Sequence, residues 1–256
     1  MSKKELELRP GEGSGAGEAP VVQVVRVPRM TATWRAIHWI QALAVVVCFA
    51  TGLYIANPFY SPNPTAIDAN TYFMAWNRAI HFYGALILDV SMFLIAYLYV
   101  FSTKHKDITD LRPSPENLTQ FKEALLNFVT FNRRKRLDTS KRDPFLAVLF
   151  LLFHVIMLTQ LLTGFQLYVA AFSANISTVG SWWPRLLHFV TDWTLTVFGG
   201  NVGVRETHLV TAWIIIAWAV FHIYYEIWRS IMWKEGDIVI SFGGYKYVKR
   251  AGTKHD

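Results

Sequence analysis

Apolar residues run along this chain in four long blocks, at about 34–56, 79–101, 145–171 and 207–229, parted by stretches rich in charge, proline and glycine. A hydrocarbon layer about 30 Å thick takes about 20 helical residues to cross, so each block is long enough to span a membrane. All four carry polar interruptions that a helix facing only lipid has no use for, so the blocks are expected to pack together. The fold class predicted is all-α: an integral membrane four-helix bundle occupying 30–235. Residues 1–29 are polar, with Gly11, Gly13, Gly15 and Gly17 interleaved, and are expected to be a disordered tail. Residues 236–256 form a second tail. The first block starts too late, runs too long and lacks the small-residue cleavage site of a secretory signal, so it is expected to remain as an anchor.

The basic residues orient the bundle. Of the 25 Lys and Arg, 22 precede the first block or stand at its start (Arg35), lie between the second and third (including Arg133-Arg134-Lys135-Arg136), or follow the fourth or stand at its end (Arg229). Only Arg78, Arg185 and Arg205 fall on the other side. By the positive-inside rule both termini and the 102–143 loop are cytoplasmic. The net charge of +7 is thereby assigned to topology, and no nucleic-acid partner is expected. On the outer side the connection 172–206 carries Trp182, Trp183 and Trp193 among Leu186, Leu187, Val190 and Val197. That spacing predicts a short amphipathic helix at the outer interface, roofing the bundle or serving as a docking surface.

Within the blocks a phrase repeats. Arg35-Ala36-Ile37-His38-Trp39 opens the first, Arg78-Ala79-Ile80-His81-Phe82 the second, and Arg205-Glu206-Thr207-His208 the fourth. Ionisable residues at such depth are costly in lipid and point to a partner or a function. His222 follows His208 by fourteen residues. Four helical turns take about 14.4 residues, so the two side chains leave nearly the same helix face, about 21 Å apart along the axis. Helix direction places His38 and His222 near the inner face and His81 and His208 near the outer. Matching depths gives the pairs His81/His208 and His38/His222, as bis-histidine axial ligands of two haems. Such ligation fills both axial positions and suits outer-sphere electron transfer. The only cysteine is Cys48, which excludes an internal disulfide, a Cys-x-x-Cys-His attachment and a cysteine-ligated cluster, so haem here is of the non-covalent b type.

Other residues carry open readings. Arg35, Arg78 and Arg205 either pair with haem propionates or snorkel to the interface. Gly52, fourteen residues after His38, with Gly84 and Gly164, either leaves room for a flat porphyrin or serves ordinary small-residue packing. His154, inside the third block, has no partner at its depth and reads as a hydrogen-bonding or cofactor-edge residue. His188 reads as surface, His105 and His255 as solvated, and Asp89 as a buried carboxylate without an assigned role.

Residues 28–250 resemble the b-type cytochrome subunit of membrane-bound nickel–iron uptake hydrogenases. The resemblance rests on Arg35-x-x-His38-Trp39, Thr51-Gly52-x-Tyr54, Arg78-x-x-His81-Phe82, Thr163-Gly164-Phe165 and His208-x13-His222-x-Tyr224. That family sits in a wider group of bacterial di-haem cytochromes b, which includes the gamma subunit of respiratory formate dehydrogenase. The resemblance implies a bacterial inner-membrane protein with the same four ligands and the same cross-pairing. It implies hydrogenase large and small subunits on the outer face, the small one carrying iron–sulfur clusters and a C-terminal membrane helix. It implies electrons passing from that subunit through the outer and inner haems to a membrane quinone, without hydrogen chemistry in this chain. The Gly/Glu-rich N-terminal tail departs from a minimal member. Two other readings compete: the same scaffold serving a formate or thiosulfate dehydrogenase, distinguished by which catalytic subunits co-purify, and a haem-free anchor or transporter. Against the last stands the lack of a transporter-like inverted repeat.

The charge distribution makes a direct prediction. Single cysteines placed near residue 10 and near residue 138 should both react with a membrane-impermeant maleimide only when the cytoplasmic face is opened. Labelling of either from the outside of intact cells contradicts the orientation.

Overall fold

The computed structural model describes residues 22–59, 72–101, 114–131, 144–170, 180–233 and 237–251. Four helices are long and apolar enough to cross a membrane: α1 (Ala32–Ala56), α2 (Phe73–Phe101), α4 (Pro144–Ala170) and α7 (Gly200–Trp233). Together they form an all-α membrane bundle. Helices α2 and α7 begin well before the apolar blocks that predicted them, so Arg78 and Arg205 lie inside helices rather than ahead of them. Hydropathy ends where polar side chains begin, but backbone hydrogen bonding continues into the headgroup region. At 34 residues, α7 is about 51 Å long, more than the hydrocarbon needs.

α1 packs along α2, and α4 packs along α7, while the two hairpins touch each other sparingly. At mid-height the gap between hairpins is closed by an apolar layer from all four helices: Ala44, Leu88, Met92, Met157 and Ile215, with Phe153 beside Trp218. Ala44 and Ile215 lie about halfway between the histidine levels of their own helices, so this layer separates two compartments within the bundle.

The end of the bundle where α1 begins and α7 finishes, here the proximal end, holds structure that the apolar blocks did not reveal. Helix α3 (Pro115–Val129) lies within the 102–143 stretch read as a loop. Ser114 caps it, its hydroxyl accepting from the Asn117 backbone N–H at 3.1 Å, and Pro115 occupies the first turn, where its missing N–H costs nothing. Phe121 and Phe128 of α3 join Phe145, Tyr225 and Trp228 in an aromatic cluster that fastens α3 to α4 and α7. Strand β1 (Val22–Pro28) lies within the tail expected to be disordered; residues 1–21 fall outside the described residues. Its valines favour extended backbone, and β2 (Tyr245–Ala251) supplies an antiparallel partner, in register from Val22 opposite Ala251 to Pro28 opposite Tyr245. The C-terminal segment is likewise ordered here: a 3₁₀ turn (Asp237–Val239) leads into the single-turn helix α8 (Ile240–Gly243) and then β2. The Gly244 carbonyl accepts from the N–H groups of Arg29 and Met30 at 2.8 and 3.1 Å, and Trp39 Nε1 donates to the Ser241 carbonyl at 3.0 Å. Gly244 has φ +80° and sits against the Arg35 guanidinium and the Met30 carbonyl, so a side chain there meets both strain and a clash.

At the opposite, distal end the amphipathic segment consists of α5 (Trp182–Thr191) and α6 (Trp193–Phe198). α5 buries Leu187 and Thr191 and exposes Trp182 and Phe189. Thr191 Oγ1 lies 2.6 Å from the side-chain amide of the buried Gln166, which ties α5 to α4. Gly199 and Gly200, both with positive φ, turn the chain from α6 into α7.

Candidate functional site

The four histidines meet in two pairs across the gap between hairpins. His38 on α1 faces His222 on α7 with ring centroids 6.5 Å apart and planes at 60°. His81 on α2 faces His208 on α7 at 6.4 Å and 70°. The first pair lies at the proximal level and the second at the distal level, the pairing that depth implied. Two imidazoles trans on one metal, with bonds of about 2 Å and ring centres roughly 1.1 Å beyond each nitrogen, lie roughly 6.3 Å apart. Both pairs therefore fit a haem iron between them.

The surroundings of the two levels differ. At the distal level each ring is gripped by a Thr-Gly step on the neighbouring helix of its own hairpin. Thr51 Oγ1 lies 2.9 Å from His81 Nδ1, and Thr163 Oγ1 lies 3.0 Å from His208 Nδ1. The adjoining glycines admit the ring edges: a Cβ on Gly52 would stand 3.2 Å from His81 Cε1, and one on Gly164 would stand 3.1 Å from His208 Cε1. These two glycines thus make room for the imidazole edges. Gly84 makes room for neither. A Cβ there would lie 3.0 Å from Cys48 Sγ and 3.4 Å from Val47, so it serves the α1–α2 contact. Gln160 Nε2 sits 3.0 Å from His208 Nε2, while its Oε1 accepts from Thr211. At the proximal level Nδ1 of His38 and Nδ1 of His222 are buried without a hydrogen-bond partner among the described residues. There the His222 ring lies parallel to Trp218, 5.0 Å away at 6°, and Trp218 stacks in turn on Phe153 at 4.1 Å.

The arginines divide. Arg35 Nη1 donates to the Met30 carbonyl at 3.1 Å and so braces the start of α1 against the ribbon. Arg78 and Arg205 are exposed near the distal end. A cation that the repeated phrase did not flag is Arg229, only 7% exposed and seven residues beyond His222. That spacing is two turns on the same face. Its guanidinium lies 3.7 Å from Glu226 and over the Tyr225 ring at 5.6 Å. The i, i+7 relation to His222 was the available signal. His154 joins neither pair: its Nδ1 meets the Phe150 carbonyl at 2.7 Å, and its Nε2 is buried without a partner among the described residues. His188 pairs with Asp192 at 2.8 Å on exposed α5. His105 and His255 lie outside the described residues.

The sequence profile of the family described as prokaryotic cytochrome b561 matches residues 29–240, a span that contains all four paired histidines. This chain belongs to that family. Similar proteins are named "Probable Ni/Fe-hydrogenase B-type cytochrome subunit". The one from Cupriavidus necator is 24% identical over 254 residues, covering 97% of this chain and 100% of the relative. That from Azotobacter vinelandii is 24% identical over 239 residues, covering 92% and 95%. The corresponding hydrogenase 1 subunit of Escherichia coli K12 is 20% identical over 219 residues, covering 83% and 87%. The cytochrome is thus a member of a family of hydrogenase-associated b-type cytochromes of the membrane, and a b-type cytochrome holds haem without covalent attachment.

The Thr-Gly grip yields a measurable expectation. Valine at Gly52 or Gly164 must displace a ring whose Cε1 lies only 3.2 or 3.1 Å from where the new Cβ would stand. The haem content of the purified cytochrome, measured as pyridine haemochrome, is expected to fall in either variant, and parent-level content in both would contradict the grip.

Proposed function

We propose that this cytochrome is the membrane subunit of a nickel–iron hydrogenase, anchoring the enzyme and carrying its electrons across the bilayer to quinone. Two b haems are held, one between His81 and His208 at the outer face and one between His38 and His222 at the cytoplasmic face. The observation that carries this reading is the presence of two histidine pairs, each at the separation of a bis-imidazole iron, at two depths on one shared helix. The hydrogenase partner is supported by the names of relatives that match over nearly their whole length. The iron–sulfur small subunit, with its C-terminal membrane helix, is the electron donor, and the large subunit follows it on the outer side. The exposed Trp182 and Phe189 of α5 offer an apolar surface on that side. The protein lies in the bacterial inner membrane with both termini cytoplasmic, as the basic residues direct.

Haem held by His81 with His208 and by His38 with His222 would supply one-electron chemistry. The chain's own residues do the rest. Two imidazoles at each level would fix each site and would leave no open position for oxygen or water. α7 holds the two sites at a fixed separation of about 21 Å. The mid-height layer of Leu88, Met92, Met157 and Ile215 keeps water out of the space between them, while Trp218 and Phe153 extend an aromatic surface from His222 into that layer. Buried Arg229 places a cation two turns below His222, where an anionic haem edge or a reduced quinone is offset. Arg35, Arg78 and Arg205 remain secondary candidates for propionate contact.

The test is a reduced-minus-oxidised absorbance spectrum of the purified protein with haem counted per chain. Two b haems per chain are expected, falling to about one on His81→Ala or His222→Ala, with hydrogenase subunits co-purifying from the native membrane. A chain without a Soret band returns the protein to the class of anchors and transporters. Co-purification of formate or thiosulfate subunits instead overturns the hydrogenase assignment alone.

A further inference from the structure

The two Thr-Gly steps do the same thing on different helices. Thr51 donates its single hydroxyl hydrogen to the Val47 carbonyl at 2.7 Å, with the Cys48 carbonyl at 3.2 Å. Thr163 donates its own to the Thr159 carbonyl at 2.7 Å, with the Gln160 carbonyl at 3.1 Å. A hydroxyl has one hydrogen and two lone pairs. With the hydrogen committed backward along its own helix, each threonine oxygen can only accept from the histidine it touches. Nδ1 of His81 and Nδ1 of His208 are therefore the protonated nitrogens, and Nε2 on each ring carries the lone pair. Both threonines are buried, at 9% and 0% exposure, so water does not compete for these bonds.

We infer that Thr51 and Thr163 are positioning residues that fix the ligating tautomer of the distal pair and hold its iron at a lower reduction potential than that of the proximal pair. This inference rests on the di-haem reading. Accepting a hydrogen bond from Nδ1–H makes the imidazole a stronger donor through Nε2, and a stronger axial donor favours the oxidised iron. The distal pair has two such bonds. The proximal pair has none among the described residues. This difference in hydrogen bonding makes passage of an electron from the distal to the proximal level downhill.

The decisive experiment is potentiometry of the detergent-solubilised cytochrome with its full haem complement, recorded optically and by low-temperature electron paramagnetic resonance. The parent is expected to show two waves. In Thr51→Val and Thr163→Val the lower wave moves up while the upper wave stays. The change is about fivefold in the reduced-to-oxidised ratio at fixed potential, the factor that one net hydrogen bond represents. The low-spin ferric signal belonging to that wave shifts as well, which a mere change of polarity would not cause. Thr51→Ser and Thr163→Ser keep the hydroxyl and restore the parent wave. Should a valine variant lose its distal haem, Thr51→Cys and Thr163→Cys, similar in size but weaker acceptors, are expected to move the same wave in the same direction. Fully loaded variants with both waves and both signals unchanged would overturn the inference and leave the di-haem reading standing. A parent without haem would overturn that reading itself.

Discussion

The structure depends on one helix carrying two histidines four turns apart. A histidine within a hydrocarbon layer has no water to satisfy its ring nitrogens, so its position needs a reason. α7 brings two of them opposite a second imidazole from the same face, His208 opposite His81 of α2 and His222 opposite His38 of α1. Because the two partners sit on different helices of one hairpin, at opposite depths, α7 cannot slide or turn without losing both. The sparse packing between the hairpins follows from this arrangement: the gap is spanned at two levels by side chains rather than filled by close helix contact.

Polar side chains in this bundle are grouped by level. At the distal level Thr51, Thr163, Gln160 and Thr211 form a closed set in which each group within reach of a histidine has a committed partner. At the proximal level Nδ1 of His38 and Nδ1 of His222 are not met by protein among the described residues, and the charged group nearby is the Arg229–Glu226 ion pair. Buried hydrogen-bond networks rigidify the groups they contain. The distal histidines are thus held by their own hairpins, while the start of α1, which carries His38, is braced by α8 and the segment after β1 through Trp39 and Arg35.

Much of this was legible from spacing. Membrane-length apolar blocks gave the four long helices, and the fourteen-residue interval with the repeated Arg-x-x-His phrase pointed to which rings would meet. What spacing could not deliver was contact. Gly52 and Gly84 looked alike in the sequence, yet one faces an imidazole and the other a cysteine on α1. Thr51 and Thr163 stood in quoted motifs without a role, because a hydroxyl's partner depends on a neighbouring helix. Helix α3 escaped because a basic, polar loop hid a short amphipathic period. Its Ser-Pro-Glu start was a readable cap. Strand β1 escaped because its partner lies more than two hundred residues away, a separation at which no local pattern signals pairing.

The measurement closest to the central claim is near-infrared magnetic circular dichroism of the fully oxidised cytochrome. This spectrum reports which atoms occupy both axial positions of a low-spin ferric haem. The account predicts bis-imidazole charge-transfer bands whose intensity corresponds to both haems. A histidine–methionine band, a high-spin component in the untreated protein, or intensity for a single centre would contradict it.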